Sequence, residues 1–148
     1  MTATDKPTIV LVEDNPADVF LFEYALRAHQ VPYQLTVFGD GQRAMDFVEQ
    51  AHRGDVPRPD LFVLDLNLPV YSGLEVLRKI RESPRLQSCK AVILTTSNAP
   101  QDRDQASALG ISLYLQKPTN LDAFAELGRP LKQALAAENG QVRFGSAG

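Results

Sequence analysis

The chain has 148 residues, of which 44% are hydrophobic and 22% are charged, and its formal net charge is −3. This length fits one domain with its own core, and the charge leaves no basic surplus for binding nucleic acid. The single cysteine, Cys89, cannot form an internal disulfide. Because neither a secretory signal pattern nor an apolar run of membrane-spanning length is present, we expect a soluble, cytoplasmic protein with no membrane role.

Five short apolar runs rich in β-branched residues recur along the chain, with helical patterns between them. They are Thr8 to Val12, Gln34 to Phe38, Leu61 to Leu64, Ala91 to Thr95 and Ser112 to Leu115. The first, third and fourth are nearly continuous in apolar residues, which is typical of strands buried on both faces of a parallel sheet. The alternation of strand and helix predicts an α/β fold, a doubly wound five-stranded parallel sheet with the flavodoxin-like strand order 2-1-3-4-5.

Helix boundaries are marked in the segments between these runs. Asn15 supplies a side-chain cap, Pro16 suits the first helical position, and Asp18 places an acid in the first turn. Gly110 ends a later helix as a carboxyl-terminal glycine.

The end of the chain fits this scheme less well. The last helical pattern, Leu121 to Ala137, contains Gly128 and Pro130, and an interior proline kinks or splits a helix. We assign residues 1–138 to the domain and residues 139–148 to a C-terminal tail. This polar, glycine-rich tail is either disordered or a dimerisation arm that adds a strand to a partner subunit.

Polar residues follow the strands at their carboxyl ends, where doubly wound sheets bind ligands. Glu13 and Asp14 follow the first strand, Asp65 follows the third, Thr95 ends the fourth, and Lys117 lies two residues beyond the fifth. Each one alone has a structural explanation, such as a helix cap or a solvated loop charge. These structural explanations do not account for the residues as a group. Carboxylates ~4 Å apart repel by about 4 kcal/mol at an effective dielectric of ~20, and clustered carboxylates therefore require a cation. We therefore predict a Mg²⁺ site in which one carboxylate can also attack phosphorus.

Four sequence motifs carry a family resemblance. They are Val10 to Asn15, the stretch from Asp65 to Pro69 with Gly73 after it, Leu94-Thr95, and Lys117-Pro118. In residue types and joint spacing they resemble the receiver domain of two-component response regulators, over roughly residues 8 to 137. Residues 1–138 would then form the receiver domain.

The resemblance implies a role for each residue of the acidic group. Asp65 would be the phosphoacceptor. Asp14, Asp65 and the main-chain carbonyl of Asn67 would bind Mg²⁺, and Glu13 would support the metal through water. The domain would catalyse only its own phosphorylation and dephosphorylation, and would not otherwise be an enzyme.

The resemblance also implies a phosphorylation-dependent switch. Lys117 would pair with the phosphoryl oxygens, and Thr95 would donate its hydroxyl to the same group. Tyr114 would be the aromatic residue whose rotamer follows Thr95. The peptide bond between Lys117 and Pro118 would be cis.

The function implied is that of a stand-alone response regulator, because only a short tail follows Ala137. Within the family, Asn15 to Asp18 and Leu94 to Ser97 resemble single-domain regulators paired with bacterial phytochrome histidine kinases. The expected partners are a sensor histidine kinase of that kind and a second copy of the chain in a homodimer. Two alternatives stay open: a phosphatase of the haloacid dehalogenase type, and a degenerate receiver that acts only as a scaffold.

Overall fold

The computed structural model describes residues 6–137, which form five strands and six helices. The strands are β1 (Thr8–Val12), β2 (Gln34–Phe38), β3 (Leu61–Leu64), β4 (Lys90–Thr95) and β5 (Leu113–Gln116). The helices are α1 (Pro16–Ala28), α2 (Gly41–His52), α3 (Gly73–Glu82), α4 (Pro100–Ala108), α5 (Leu121–Glu126) and α6 (Gly128–Ala136). Three strands have the predicted bounds, β4 begins one residue earlier, and β5 is shifted by one residue towards Lys117.

The strands form one parallel sheet in the order β2-β1-β3-β4-β5, which confirms the predicted topology. The register aligns the strand ends, since Val12 lies beside Phe38 on one side and Leu64 on the other. The segments that follow β1 and β3 therefore emerge side by side at one edge of the sheet. Between residues 6 and 137, no helix is long and apolar enough to span a membrane.

The core lies on both faces of the sheet. In β1, Val10 and Val12 point towards α2, α3 and α4, while Ile9 and Leu11 point towards α1, α5 and α6. All four are buried, as is every residue of β3. Burial of a large aliphatic side chain stabilises a fold by about 1.5–3 kcal/mol, so these continuous apolar runs hold the centre of the sheet.

The helix ends agree with the sequence signals. The side chain of Asn15 accepts a hydrogen bond from the Ala17 amide at 2.9 Å, and Pro16 begins α1. Gly110 follows α4 with a φ of 76°, a left-handed conformation that costs glycine little. The cap of Asn15 fixes the start of α1 directly beside the carboxyl end of β1.

The last helical pattern is split, as its proline predicted. α5 ends at Glu126 and α6 begins at Gly128, which places Pro130 in the first turn of α6, where its missing N–H is tolerated. Gly128 has a packing role besides: a Cβ there would lie 2.2 Å from the carbonyl oxygen of Ala25, so α6 crosses closely over α1. The predicted tail, residues 139–148, lies outside the described residues.

Candidate functional site

Three carboxylates meet at the carboxyl edge of the sheet. The backbone ladders continue past β1 and β3: the Glu13 amide donates to Phe38 O at 3.0 Å, and the Asp65 amide donates to Val12 O at 3.1 Å. These bonds place Glu13, Asp14 and Asp65 so that one carboxylate oxygen of each lies within 4.8 Å of the others. Glu13 and Asp65 are buried, whereas Asp14 is exposed.

Lys117 supplies the positive charge of this group. Its amide donates to Thr95 O at 2.7 Å, which extends the pairing of β4 and β5 to the site. Its Nζ lies 2.7 Å from Glu13 Oε1 and 2.8 Å from Asp65 Oδ2. The prediction of a cis bond before Pro118 is wrong, because residues 6–137 contain no cis peptide bond. The lysine reaches both carboxylates from a trans peptide, the form that X–Pro bonds prefer.

Burial and charge pairing act in opposite directions at this site. Burial raises the pKa of Glu13 to about 7, even though hydrogen bonds from Lys117 and from the Asn15 amide favour its charged form. Burial alone would lower the pKa of Lys117, but its hydrogen bonds to carboxylates outweigh this effect and raise the pKa above the usual value. Lys117 is therefore a permanent cation over the whole physiological pH range.

The loop after β3 fixes the backbone of Asp65. Asp65 Oδ1 accepts a hydrogen bond from the Asn67 amide at 3.1 Å. Gly73, the first residue of α3, donates to Leu66 O at 3.2 Å, and a Cβ at Gly73 would lie only 2.1 Å from the carbonyl oxygen of Asp65. Ser72 caps α3 through a reciprocal capping box. The start of α3 is thus packed directly against the residue that the sequence marks as nucleophile.

Thr95 and Tyr114 lie on neighbouring strands and meet through the loop after β4. Thr95 is fully buried, and its Oγ1 accepts a hydrogen bond from the Ser97 amide at 3.4 Å. Tyr114 is half-buried, and its hydroxyl donates to Ser97 O at 3.1 Å. The guanidinium of Arg103 lies 4.5 Å from the centre of the Tyr114 ring. A displacement of the loop at Ser97 would therefore change the hydrogen bonds of both side chains.

Sequence reasoning missed one member of the group, Asp18. We interpreted this residue only as a favourable acid in the first turn of α1. In the structure its Oδ2 lies 2.8 Å from Lys117 Nζ. The sequence places Asp18 in the first turn of a helix that begins at the edge of the site, but the contact with Lys117 depends on how this helix packs.

Comparison with known proteins agrees with this fold. A family model for the response regulator receiver domain matches residues 9–127. The chain therefore belongs to the response regulator receiver-domain family.

Several named relatives resemble it over most of its length. The response regulator Rcp1 of Synechocystis sp. (strain ATCC 27184 / PCC 6803 / Kazusa) is 40% identical over 114 residues, which cover 76% of this chain and 78% of Rcp1. A solved structure of the phosphorylated cyanobacterial phytochrome response regulator RcpA superposes with a TM-score of 0.82 at 34% identity, covering 93% of this chain and all of RcpA. The Mn²⁺-bound form of Rcp1 gives a TM-score of 0.79 at 33% identity, covering 91% and 99% of the two chains.

Proposed function

We propose that Asp65 accepts a phosphoryl group from the phosphohistidine of a sensor histidine kinase. The observation that carries this proposal is the buried carboxylate of Asp65, which lies 2.8 Å from the ammonium of Lys117 and next to Glu13 and Asp14. A carboxylate oxygen of Asp65 attacks phosphorus, the bond from phosphorus to the histidine nitrogen breaks, and an acyl phosphate forms on Asp65. Lys117 is placed to neutralise charge on the phosphoryl oxygens.

The residues of the site fit Mg²⁺. Its ligands are oxygens at about 2.0–2.1 Å, and several of them are usually water. Glu13, Asp14 and Asp65 offer oxygens within 4.8 Å of one another, and the exposure of Asp14 leaves the site open to water. When bound, Mg²⁺ supplies charge neutralisation for both the carboxylates and the incoming phosphoryl group. Asp14, Asp65 and the Asn67 carbonyl would hold the ion directly, and Glu13 through water.

The switch would run from Thr95 to Tyr114. The phosphoryl group on Asp65 attracts the hydroxyl of Thr95. The hydrogen bond from the Ser97 amide to this hydroxyl then breaks. Tyr114 then leaves Ser97 O and turns inwards into the space that Thr95 vacates. The contact of both side chains with Ser97 supports this coupling. Such a two-state element, biased by an added charge, changes the surface that partners bind.

We further propose a stand-alone regulator paired with a bacterial phytochrome kinase. The likeness to RcpA, a phytochrome response regulator, supports this pairing. We also propose that the regulator forms a homodimer through isologous contact. The family match removes the haloacid dehalogenase alternative, since in that class the nucleophile follows the first strand, whereas Asp65 follows β3.

Intact-mass measurement tests the proposal directly. The protein is incubated with Mg²⁺ and a small-molecule phosphodonor, and we expect one added phosphoryl group on wild type, none on Asp65→Asn, and none when a chelator removes the metal. If wild type gains no phosphoryl group, the scaffold alternative replaces the proposal. If the group still appears on Asp65→Asn, the acceptor is another residue. Rates of transfer from a panel of histidine kinases then test the phytochrome pairing.

A further inference from the structure

The ammonium of Lys117 lies within hydrogen-bond distance of three carboxylate oxygens, one for each of its N–H donors. Its Nζ lies 2.7 Å from Glu13 Oε1, 2.8 Å from Asp65 Oδ2 and 2.8 Å from Asp18 Oδ2. A lysine ammonium carries three donors, so each is directed at one carboxylate. The side chain is 6% exposed, and water therefore has little access to compete for these donors.

Asp18 differs from the other two carboxylates. The group of oxygens suited to a cation consists of Glu13, Asp14 and Asp65, and Asp18 is not part of it. Asp18 also belongs to a different kind of element: it lies in the first turn of α1, not at the end of a strand. It therefore contacts Lys117 from a helix, without being a member of the carboxylate group that could hold a metal.

The helix that carries Asp18 is firmly placed. The Asn15 cap fixes its start, and the close approach of Gly128 to the Ala25 carbonyl fixes its second half against α6. A carboxylate on such a helix is held in position by packing, whereas a lysine side chain has four rotatable bonds and freely turning donors. Asp18 can thus act as a fixed point for a flexible cation.

We propose that Asp18 is a positioning residue for phosphoryl transfer, acting through Lys117. This inference rests on the proposed function of Asp65. When the Asp65 oxygen becomes part of an acyl phosphate it loses its negative charge, and the donor that faced it is free to follow the phosphoryl oxygens. The contact with Asp18 keeps the ammonium at the site while that donor changes partner. Without it, the ammonium samples other rotamers and is less often aligned with the transition state.

Loss of Asp18 has two effects that kinetics can separate. Removing a negative charge weakens the repulsion of an anionic phosphodonor, which lowers the donor concentration for half-maximal rate. Loss of alignment lowers the rate at saturating donor instead. A residue that served only the stability of the fold would change neither quantity once the variant is folded.

The experiment measures phosphorylation rate against concentration of a small-molecule phosphodonor with Mg²⁺, by intact mass. Asp122→Asn is the matched control, because Asp122 is an exposed acid in the first turn of α5. We expect Asp18→Asn to lower the saturating rate about three- to tenfold, a change within the range for coupled neighbours, and to lower the half-saturating concentration. Asp122→Asn should change neither by more than about twofold. Thermal melts check folding, and Asp18→Ser replaces Asp18→Asn if the latter is unfolded.

A double-mutant cycle tests whether Asp18 acts through Lys117. In a Lys117→Ala background, Asp18→Asn should have no further effect on the saturating rate. An equal loss in both backgrounds, or a saturating rate for Asp18→Asn equal to that of Asp122→Asn, overturns the inference and leaves the proposed function intact. If Lys117→Ala reacts too slowly for its rate to be measured, the comparison of the saturating rates of Asp18→Asn and Asp122→Asn decides the inference. A wild-type protein that takes no phosphoryl group overturns the proposed function and this inference together.

Discussion

Substitution of Gly73 by alanine should damage both stability and phosphorylation, since this glycine is packed against the backbone of Asp65. An added Cβ would lie 2.1 Å from the Asp65 carbonyl oxygen and 2.8 Å from its carbonyl carbon, whereas real Cβ contacts essentially never fall below 3.0 Å. The start of α3 and the residue after β3 must therefore move apart by about 0.9 Å. The hydrogen bond from the Gly73 amide to Leu66 O would be strained as well.

The expected cost follows from these contacts. Overpacking of this kind costs about 1–3 kcal/mol and the weakened hydrogen bond about 1 kcal/mol, while the better helix propensity of alanine returns up to about 1 kcal/mol. We expect a net loss of about 2 kcal/mol, or about 6 °C in melting temperature for a chain of this length. A nucleophile displaced by nearly 1 Å should also react up to about 100-fold more slowly with a phosphodonor.

The control for this experiment is Gly39→Ala. A Cβ at Gly39 would meet nothing within 4 Å, and its φ lies outside the left-handed range. Its stability and phosphorylation rate should match those of wild type to within about 0.5 kcal/mol and about twofold. Urea unfolding and intact-mass kinetics measure both quantities. If Gly73→Ala unfolds at the same urea concentration as Gly39→Ala, the packing of α3 against Asp65 is not as tight as the structure describes.

Three further outcomes are expected. Arg81 donates to four backbone carbonyl oxygens in the loops before β4 and β5, which a lysine cannot all reach. Arg81→Lys should lower the free energy of unfolding in urea by about 2–3 kcal/mol. A loss no larger than that of the exposed Arg78→Lys would count against this role. Val70 has a φ of 70° although it is β-branched. Val70→Gly should raise the free energy of unfolding by about 1 kcal/mol, because the relief of backbone strain exceeds the entropy that glycine loses on folding. A melting temperature below that of wild type would argue against strain at this residue. Because burial raises the pKa of Glu13 from 4.5 to about 7, the folded, metal-free protein binds this proton more tightly than the unfolded chain. The stability gained from this proton is therefore complete below pH 4.5 and is lost as the pH rises through 7. With a chelator present, the free energy of unfolding should fall more steeply between these two pH values for wild type than for Glu13→Gln. Parallel pH profiles of the two proteins would contradict the raised pKa of Glu13.

Much of the fold follows from local sequence pattern. The apolar runs of β1 and β3 are predicted with their exact bounds because strands buried on both faces have few polar residues at which their ends could be misplaced. The bounds of β2 are also predicted correctly, although it is an edge strand with exposed residues. The bounds of β5 are off by one residue. This strand is only half-buried at the edge of the sheet, so its sequence is under weaker constraint. Residues 1–138 as one receiver domain, with residues 139–148 as a tail, remain a prediction.

The candidate site divides in the same way. The sequence by itself determined that Glu13, Asp14, Asp65, Thr95 and Lys117 follow strand ends of a parallel sheet, because strand order and direction bring such ends to a single edge. Only the tertiary structure decided that Asp18 also reaches Lys117, since that contact depends on how α1 packs against the sheet and against α6. The isomer of the Lys117-Pro118 bond was likewise not determined by the local sequence, because the two forms differ by only about 1 kcal/mol in an unconstrained chain. Patterns along a chain report which face of an element is buried; distances between side chains on different elements depend on all of their packing at once.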